Sequence, residues 1–349
     1  MGKEQLNAAQ QSMIKWLSHE NELGKAPARI ECTKEFELYG LHYYVFRFKA
    51  EPLDKWLLAV CGGYEENGLE HSGHIFSDMK SYNDKTAVED ATEIVERIRA
   101  YWMERARRQQ QLNDMIKANT DFRTQQEIPV KDIENQFVKT ENRFYLAVGS
   151  VDFPTGSVIV ADPLAYLPSR QFSPVLNKKV PAGERCSVEV SLCRNDVIGL
   201  RMCTARLVIK QTPAVKYIKA SATEDTVIKL KDGSIEGFPV DAGMICFCDK
   251  QTAEEYREFL DRWYAENPDG NHYDDYFAAF FAESYSNMPA YQREGGDFIE
   301  WINPDTNSRM VMIASGLGDG LYNAYYGYDA DDNICQIIVP MVNPDIFDV

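Results

Sequence analysis

The chain has 349 residues, and with 44% hydrophobic and 12% aromatic residues it can bury a sizeable core, which excludes a disordered protein. No apolar run approaches the ~20 residues that span a bilayer, and the N-terminal stretch lacks the apolar core of a secretory signal, so we expect a cytoplasmic protein without a membrane partner. The formal net charge is −17, and residues 241–349 contribute −16 of it through 21 acidic and 5 basic residues, which excludes nucleic acid as a partner.

The first part of the chain, residues 1–119, is predicted to be a small α+β domain that ends in a long connecting helix. Its patterns predict, in order, a helix over 5–18, strands over 26–38, 41–50 and 55–64, and a long helix from Thr86. The apolar stripe of the last helix thins after Met103, as is typical of an arm that joins two domains.

The second part, residues 120–349, is predicted to be a β-rich domain of mainly antiparallel sheet with a two-helix insertion, which makes the chain α+β. Cys186, Val188 and Val190 alternate with polar residues, as in a strand with one buried face. The insertion is predicted at 252–267 and 273–285, and Thr252 with Glu255 has the spacing of a capping box. Four strand patterns follow in a row and predict an antiparallel meander.

Four blocks in the second part resemble a known family. They are "PTGSVIVADPL" at 154–164, "VPAGERCSVEVSL" at 180–192, "GFPVDAGMICFCD" at 237–249 and "ASGLGDGLYNAYYGYDADDN" at 314–333. In this order they are similar to the bacterial domain-of-unknown-function family 4241 (DUF4241), over about residues 125–343. The resemblance implies a β-rich domain in bacterial proteins and no particular reaction. The occurrence of some members among toxin–immunity-type genes favours a binding role.

A glycine-rich loop lies inside the last block. Gly316, Gly318 and Gly320 surround Asp319, so the segment is a candidate ligand loop. Their density predicts that at least one glycine has a positive φ or lets another backbone segment approach closely. The loop lacks the lysine and the following helix of a phosphate-binding loop, which argues against a nucleotide site.

Three aspartates beside small residues are the candidate catalytic groups. Asp162, Asp241 and Asp319 each begin or follow a predicted strand next to alanine, proline or glycine. Carboxylates at strand ends can bind a divalent ion or act as acid and base. They can also accept hydrogen bonds from turn amides, and the sequence leaves both alternatives open.

The cysteine and histidine patterns predict no metal site and no cofactor. The eight cysteines form no C-x-x-C pair and are expected to be reduced and mostly buried. Cys246 and Cys248 could be half of a metal site, but no second pair lies nearby in the sequence. His71 and His74 stand three residues apart next to glycines, which favours a loop over a helical pair of ligands.

The charge asymmetry predicts the function. We expect a protein-binding module in which the acidic C-terminal third engages a basic protein, and the family resemblance implies an immunity-type role for it. The acids of the helical insertion are the candidate partner-binding residues, namely Glu254, Glu255, Asp261, Asp274 and Asp275. The alternative function is a metal-assisted hydrolase that uses the three aspartates. The sequence leaves the oligomeric state open.

Overall fold

The computed structural model describes residues 11, 13, 29–49, 55–64, 74–76, 80–169, 172–230 and 233–348. The predicted helix over 5–18 therefore lies outside the described residues, except for residues 11 and 13, which are helical. The pair of His71 and His74 also lies outside them, except for the backbone of His74. The fold is α+β, as predicted. It divides into two compact units, Met1–Leu112 and Asn113–Val349.

The first unit contains a four-stranded antiparallel sheet with strands in sequence order. Its elements are β1 (Arg29–Leu38), β2 (Leu41–Lys49), β3 (Trp56–Tyr64), β4 (His74–Phe76) and the start of the long helix α1 (Ala87–Thr124). Alternating residues of β2 and β3 pack against α1, so Val45 and Val60 share a buried cluster with Ile94. The helix forms because its apolar residues recur on one face over its first turns.

The second unit is β-rich. Its elements are β5 (Glu127–Ile128), α2 (Val130–Glu134), β6 (Arg143–Phe153), β7 (Val158–Ala161), β8 (Glu184–Asn195), β9 (Gly199–Val208), β10 (Lys216–Lys219), β11 (Ile228–Leu230), β12 (Gly233–Ile235), β13 (Phe238–Val240), β14 (Met244–Asp249), α3 (Lys250–Glu266), α4 (Ala278–Asn287), β15 (Phe298–Ile302), β16 (Arg309–Ala314), β17 (Gly320–Tyr322), β18 (Tyr325–Tyr328) and β19 (Ile334–Pro340).

Two larger sheets organise this unit. One has the strand order β5-β10-β18-β19-β9-β8-β6 and the other β15-β16-β14-β7, and β13 pairs with β17 beside them. All of these pairs are antiparallel. The sheets are linked where the Ser150 N–H and hydroxyl of β6 donate to the Glu300 carboxylate of β15, at 3.0 and 2.9 Å.

The predicted C-terminal meander is wrong, because the chain changes sheets within it. Strands β15 and β16 pair in the four-stranded sheet, whereas β18 and β19 pair in the seven-stranded sheet. The glycine loop carries the chain from one sheet to the other and leads into β17, which pairs with β13. Hydrophobic alternation predicts each strand but not the sheet that it joins.

The helical insertion is present, but its first helix begins two residues earlier than predicted. Asp249 caps α3, because its carboxylate accepts a hydrogen bond from the Gln251 N–H at 2.8 Å. Thr252 is buried inside the first turn, so the predicted capping box is wrong. The second helical segment has a π-helical turn over 273–277 before α4 begins. Among the described residues, no helix combines the length and apolarity that crossing a membrane requires.

Candidate functional site

Asp162 is a buried structural residue that follows β7. One carboxylate oxygen accepts from the N–H groups of Leu164 and Ala165, both at 2.9 Å. The other accepts from the N–H groups of Asp241 and Ala242, at 2.8 and 2.7 Å. The side chain is fully buried, and four donors fill the lone pairs of its two oxygens. Asp162 therefore fixes the turn after β13 and has no lone pair left for a metal.

The structure does bring the three candidate aspartates together, around this same turn. The Asp319 carboxylate accepts from the Gly243 N–H at 3.0 Å, and Asp241, whose own N–H donates to Asp162, is exposed. Partial burial and the three nearby carboxylates raise the pKa of Tyr166. Within the described ranges, no three His, Cys, Asp or Glu side chains are placed to hold a metal ion. The arrangement supports the alternative in which Asp162 and Asp319 accept hydrogen bonds from turn amides.

The glycine loop has the backbone conformation that its composition predicts. Gly316, Gly318 and Gly320 have φ values of 75°, 97° and 148°, all in the region that favours glycine. A Cβ at Gly316 would lie 2.8 Å from the Met202 carbonyl oxygen of β9, which explains the glycine there. The Tyr322 hydroxyl closes the loop and lies 2.6 Å from the Gly318 carbonyl oxygen.

A cleft of about 760 Å³ opens beside this loop. The turn 241–244, the loop 316–318 and the segments 271–273 and 293–297 line it, together with Arg201. Four segments that are far apart in sequence thus meet with Arg201 at one cavity, which has the size of an ordinary small-molecule site. Asp241, Gly316 and Gly318, which the sequence singles out, are among its lining residues.

Two arginines in the cleft were not singled out by sequence reasoning. The Arg293 guanidinium donates to the buried Asp297 carboxylate at 2.9 and 2.7 Å. The half-buried Arg201 guanidinium donates to its neighbouring Leu200 carbonyl oxygen at 2.8 Å, and no carboxylate in the described part of the chain forms an ion pair with it. Burial and the positive charge of Arg293 lower the pKa of Arg201. No local pattern marks Arg201, since it stands in an ordinary alternating strand.

His272 also lines the cleft, and no sequence pattern assigns it a role. Its Nδ1 lies 2.5 Å from the Tyr264 hydroxyl oxygen, whereas its buried Nε2 has no partner with hydrogen-bond geometry among the described residues. Burial lowers the pKa of His272, partly offset by the Leu164 backbone and the Asp162 charge. A neutral imidazole is therefore the form that this position favours.

The five candidate partner-binding acids divide into two groups. Glu254 pairs with Arg257 at 2.6 Å, and Glu255 accepts from the Thr306 hydroxyl at 2.7 Å, so both are occupied within the fold. Asp261, Asp274 and Asp275 are exposed. The carboxylate of Asp275 accepts a hydrogen bond from the Asn271 N–H at 2.7 Å.

The exposed acids belong to a larger set on the helical insertion. Rings pack between α3 and the following turn, for example Phe259 with Tyr276 at 5.1 Å between centroids, so the inner side of the insertion is aromatic. Among the described residues of the helical insertion, seven exposed acids form no ion pair. They are here called the acidic helical surface and are Glu258, Asp261, Glu266, Asp269, Asp274, Asp275 and Glu283.

The eight cysteines are free thiols in the structure, and all but Cys32 are buried. Cys246 and Cys248 lie on β14 with no exposed surface. Burial raises the pKa of the Cys246 thiol well above its usual value, which favours the neutral thiol over a metal-binding thiolate.

Comparisons with known proteins agree with the resemblance seen in the sequence. The model of the family described as "Protein of unknown function (DUF4241)" matches residues 151–339, a span that contains all four sequence blocks. No curated protein and no solved structure gives a significant match. The family match covers more than half of the chain and includes the aspartates, the glycine loop and the cleft, and the protein therefore belongs to the DUF4241 family.

Proposed function

We propose that the protein is a protein-binding module of the bacterial cytoplasm, whose acidic helical surface engages a basic protein. The observation that carries this proposal is the set of seven exposed acids without an ion-pair partner among the described residues. Free thiols at all eight cysteines are compatible with a reducing compartment.

The basic residues of the acidic third do not neutralise this surface. Four of its five basic residues are arginines engaged by acids: Arg257 by Glu254, Arg262 by Asp305, Arg293 by Asp297, and Arg309 by Glu300 and Asp152. The fifth, Lys250, is exposed at the start of α3. Only Glu254 among these acids lies within the two helices, and it does not belong to the acidic helical surface. The negative field of that surface is therefore available to a partner.

Two exposed aromatic side chains lie in the same part of the chain. Tyr273 is 37% exposed and Phe280 is 39% exposed, next to Asp274 and Asp275 in sequence. Aromatic side chains at the centre of an interface supply much of its binding energy, while surrounding charges set the association rate. This composition suits a partner that has basic residues around an apolar patch.

The test is a charge reversal that spares the internal bonds. The variant carries Glu258→Lys, Asp261→Lys and Asp274→Lys, since none of these side chains has a partner among the described residues. The control reverses three exposed acids elsewhere in the same unit, namely Glu141, Glu184 and Asp196. Both variants change the net charge by the same amount.

Immobilised wild-type and control proteins should retain the same basic protein from a lysate of the native host, and the helical variant should lose it. Retention should fall as salt screens the charges over a Debye length of ~8 Å, mainly through a slower association rate. A folded helical variant that captures the same protein equally well at low salt would contradict the proposal, as would a wild type that enriches no basic protein.

A further inference from the structure

We propose that the cleft beside the glycine loop binds a small molecule with a single carboxylate group, which the Arg201 guanidinium and the N–H groups of the loop hold. None of the seven acids of the acidic helical surface lines this cleft, although Tyr273 belongs to both regions, and the proposal does not depend on the protein-binding function.

Arg201 carries a positive charge that forms no ion pair with a carboxylate in the described part of the chain. A half-buried guanidinium normally has a carboxylate partner, because removing the charge from water is costly. Arg201 has none in the described part of the chain, and its one protein acceptor, the Leu200 carbonyl oxygen, occupies a single N–H of five. The neighbouring Arg293 is held by Asp297. The positive charge of Arg293 lowers the pKa of Arg201 and the negative charge of Asp297 raises it, but Asp297 forms no ion pair with Arg201.

The second argument is the set of donors on the glycine loop. The N–H groups of Gly316, Leu317 and Gly318 have no acceptor in the described part of the chain, although all three residues line the cleft. The φ values alternate from 75° at Gly316 to a negative value at Leu317 and 97° at Gly318. Successive residues of opposite hand turn their N–H groups into a concave anion-binding nest.

The negative charges that line the cleft favour a carboxylate over a phosphate as the bound anion. Asp241 and Glu294 line the same cleft, both are exposed, and neither pairs with a base among the described residues. Their negative charges repel a phosphate dianion or a nucleotide more strongly than a monoanion. A carboxylate carries one charge and matches the planar fork of a guanidinium through two parallel hydrogen bonds. The cavity of about 760 Å³ accommodates a metabolite-sized molecule.

The experiment titrates the full-length ¹⁵N-labelled protein with acetate, propionate and inorganic phosphate at constant ionic strength. The amide signals of Gly316, Leu317 and Gly318 are followed. Both carboxylates should shift these signals saturably, with dissociation constants of ~1–50 mM as befits very small ligands. Arg201→Met should weaken carboxylate binding by about tenfold or more. Arg185→Met, at an exposed arginine paired with Asp152, is the control and should leave binding unchanged.

Arg201→Lys is the second variant, and it decides the question if the methionine variant does not fold. It keeps the positive charge but loses the planar fork, so carboxylate binding should weaken severalfold. The proposal is overturned if the carboxylates give no saturable shift of the loop amides, if phosphate binds more tightly than the carboxylates, or if folded Arg201 variants bind as the wild type does.

Discussion

Replacement of Gly316 by alanine should destabilise the second unit far more than the same replacement at Gly318. Both glycines have a positive φ, so either alanine places a side chain on a left-handed backbone. They differ in what the new methyl group meets. At Gly318 nothing lies within 4 Å of the added Cβ, whereas at Gly316 it meets the Met202 carbonyl oxygen and Val342 Cγ2, both at 2.8 Å.

The two contributions can be separated in magnitude. The left-handed conformation costs an alanine about 1–2 kcal/mol, and this term applies to both variants. Overpacking a tight site adds about 1–3 kcal/mol, and this term applies to Gly316 alone because Met202 belongs to β9 and its backbone cannot rotate away as a side chain can. Gly316→Ala should therefore lower the free energy of unfolding by about 2–5 kcal/mol, and Gly318→Ala by about 1–2 kcal/mol.

Native-state hydrogen exchange is the suitable assay, because peptides from β9 and β16 report the opening of this unit alone. The first unit of each variant should exchange as in the wild type, which provides an internal control. Equal losses at the two glycines would refute the argument from the Met202 contact. A Gly316→Ala protein within about 0.5 kcal/mol of the wild type would refute the assigned backbone conformation as well.

Three further predictions concern buried polar groups. Asp162→Asn should lower the free energy of unfolding by about 2–4 kcal/mol in urea denaturation, since an amide N–H₂ would face two N–H donors. The same replacement at the exposed Asp319 should lower it by less than about 1 kcal/mol. Equal losses at the two positions would contradict the structural role of Asp162. Burial lowers the pKa of His272, so the unfolded chain takes up the proton first. The free energy of unfolding should therefore fall as the pH drops below the ordinary imidazole pKa of ~6.5, and His272→Asn should reduce this fall; an unchanged pH profile would count against it. Cys246 and Cys248 should react with a thiol reagent only after unfolding, when all eight thiols should be counted. Stoichiometric zinc in the purified protein would contradict this prediction, because it would identify the two thiols as metal ligands.

Local patterns were sufficient for most individual strands and helices. The alternation of Cys186, Val188 and Val190 with polar residues predicts β8, and all three apolar side chains are buried. Glycine chemistry likewise predicts the positive φ of the loop after β16. Both signals depend only on neighbouring residues and on the pleat or the turn that they form. The strand and the loop conformation could be predicted because neither depends on a distant part of the chain.

Sheet membership and the cleft depend on distant contacts. Whether the strand after the glycine loop continues a meander is decided by β13, which takes β17 as its partner, and no pattern in the loop carries that information. The capping error has the same origin. Thr252 has the right spacing for a cap, but Asp249 accepts hydrogen bonds from both the Thr155 hydroxyl and the Gln251 N–H. The tertiary contact with Thr155 holds Asp249 in place as the cap, so the helix begins earlier.

The charge of the second unit shows why opposite binding preferences can coexist in it. Arg201 comes from β9, in the nearly neutral middle of the chain, and the fold inserts it among residues of the acidic third. A cleft of about 760 Å³ is roughly as wide as the Debye length of ~8 Å, so the nearest charge dominates inside it. The exposed acids of the helical surface act on a protein that approaches from solvent. A small carboxylate in the cleft and a basic protein on the helices are therefore compatible ligands of one unit, and reversing charges at one site should leave binding at the other unchanged.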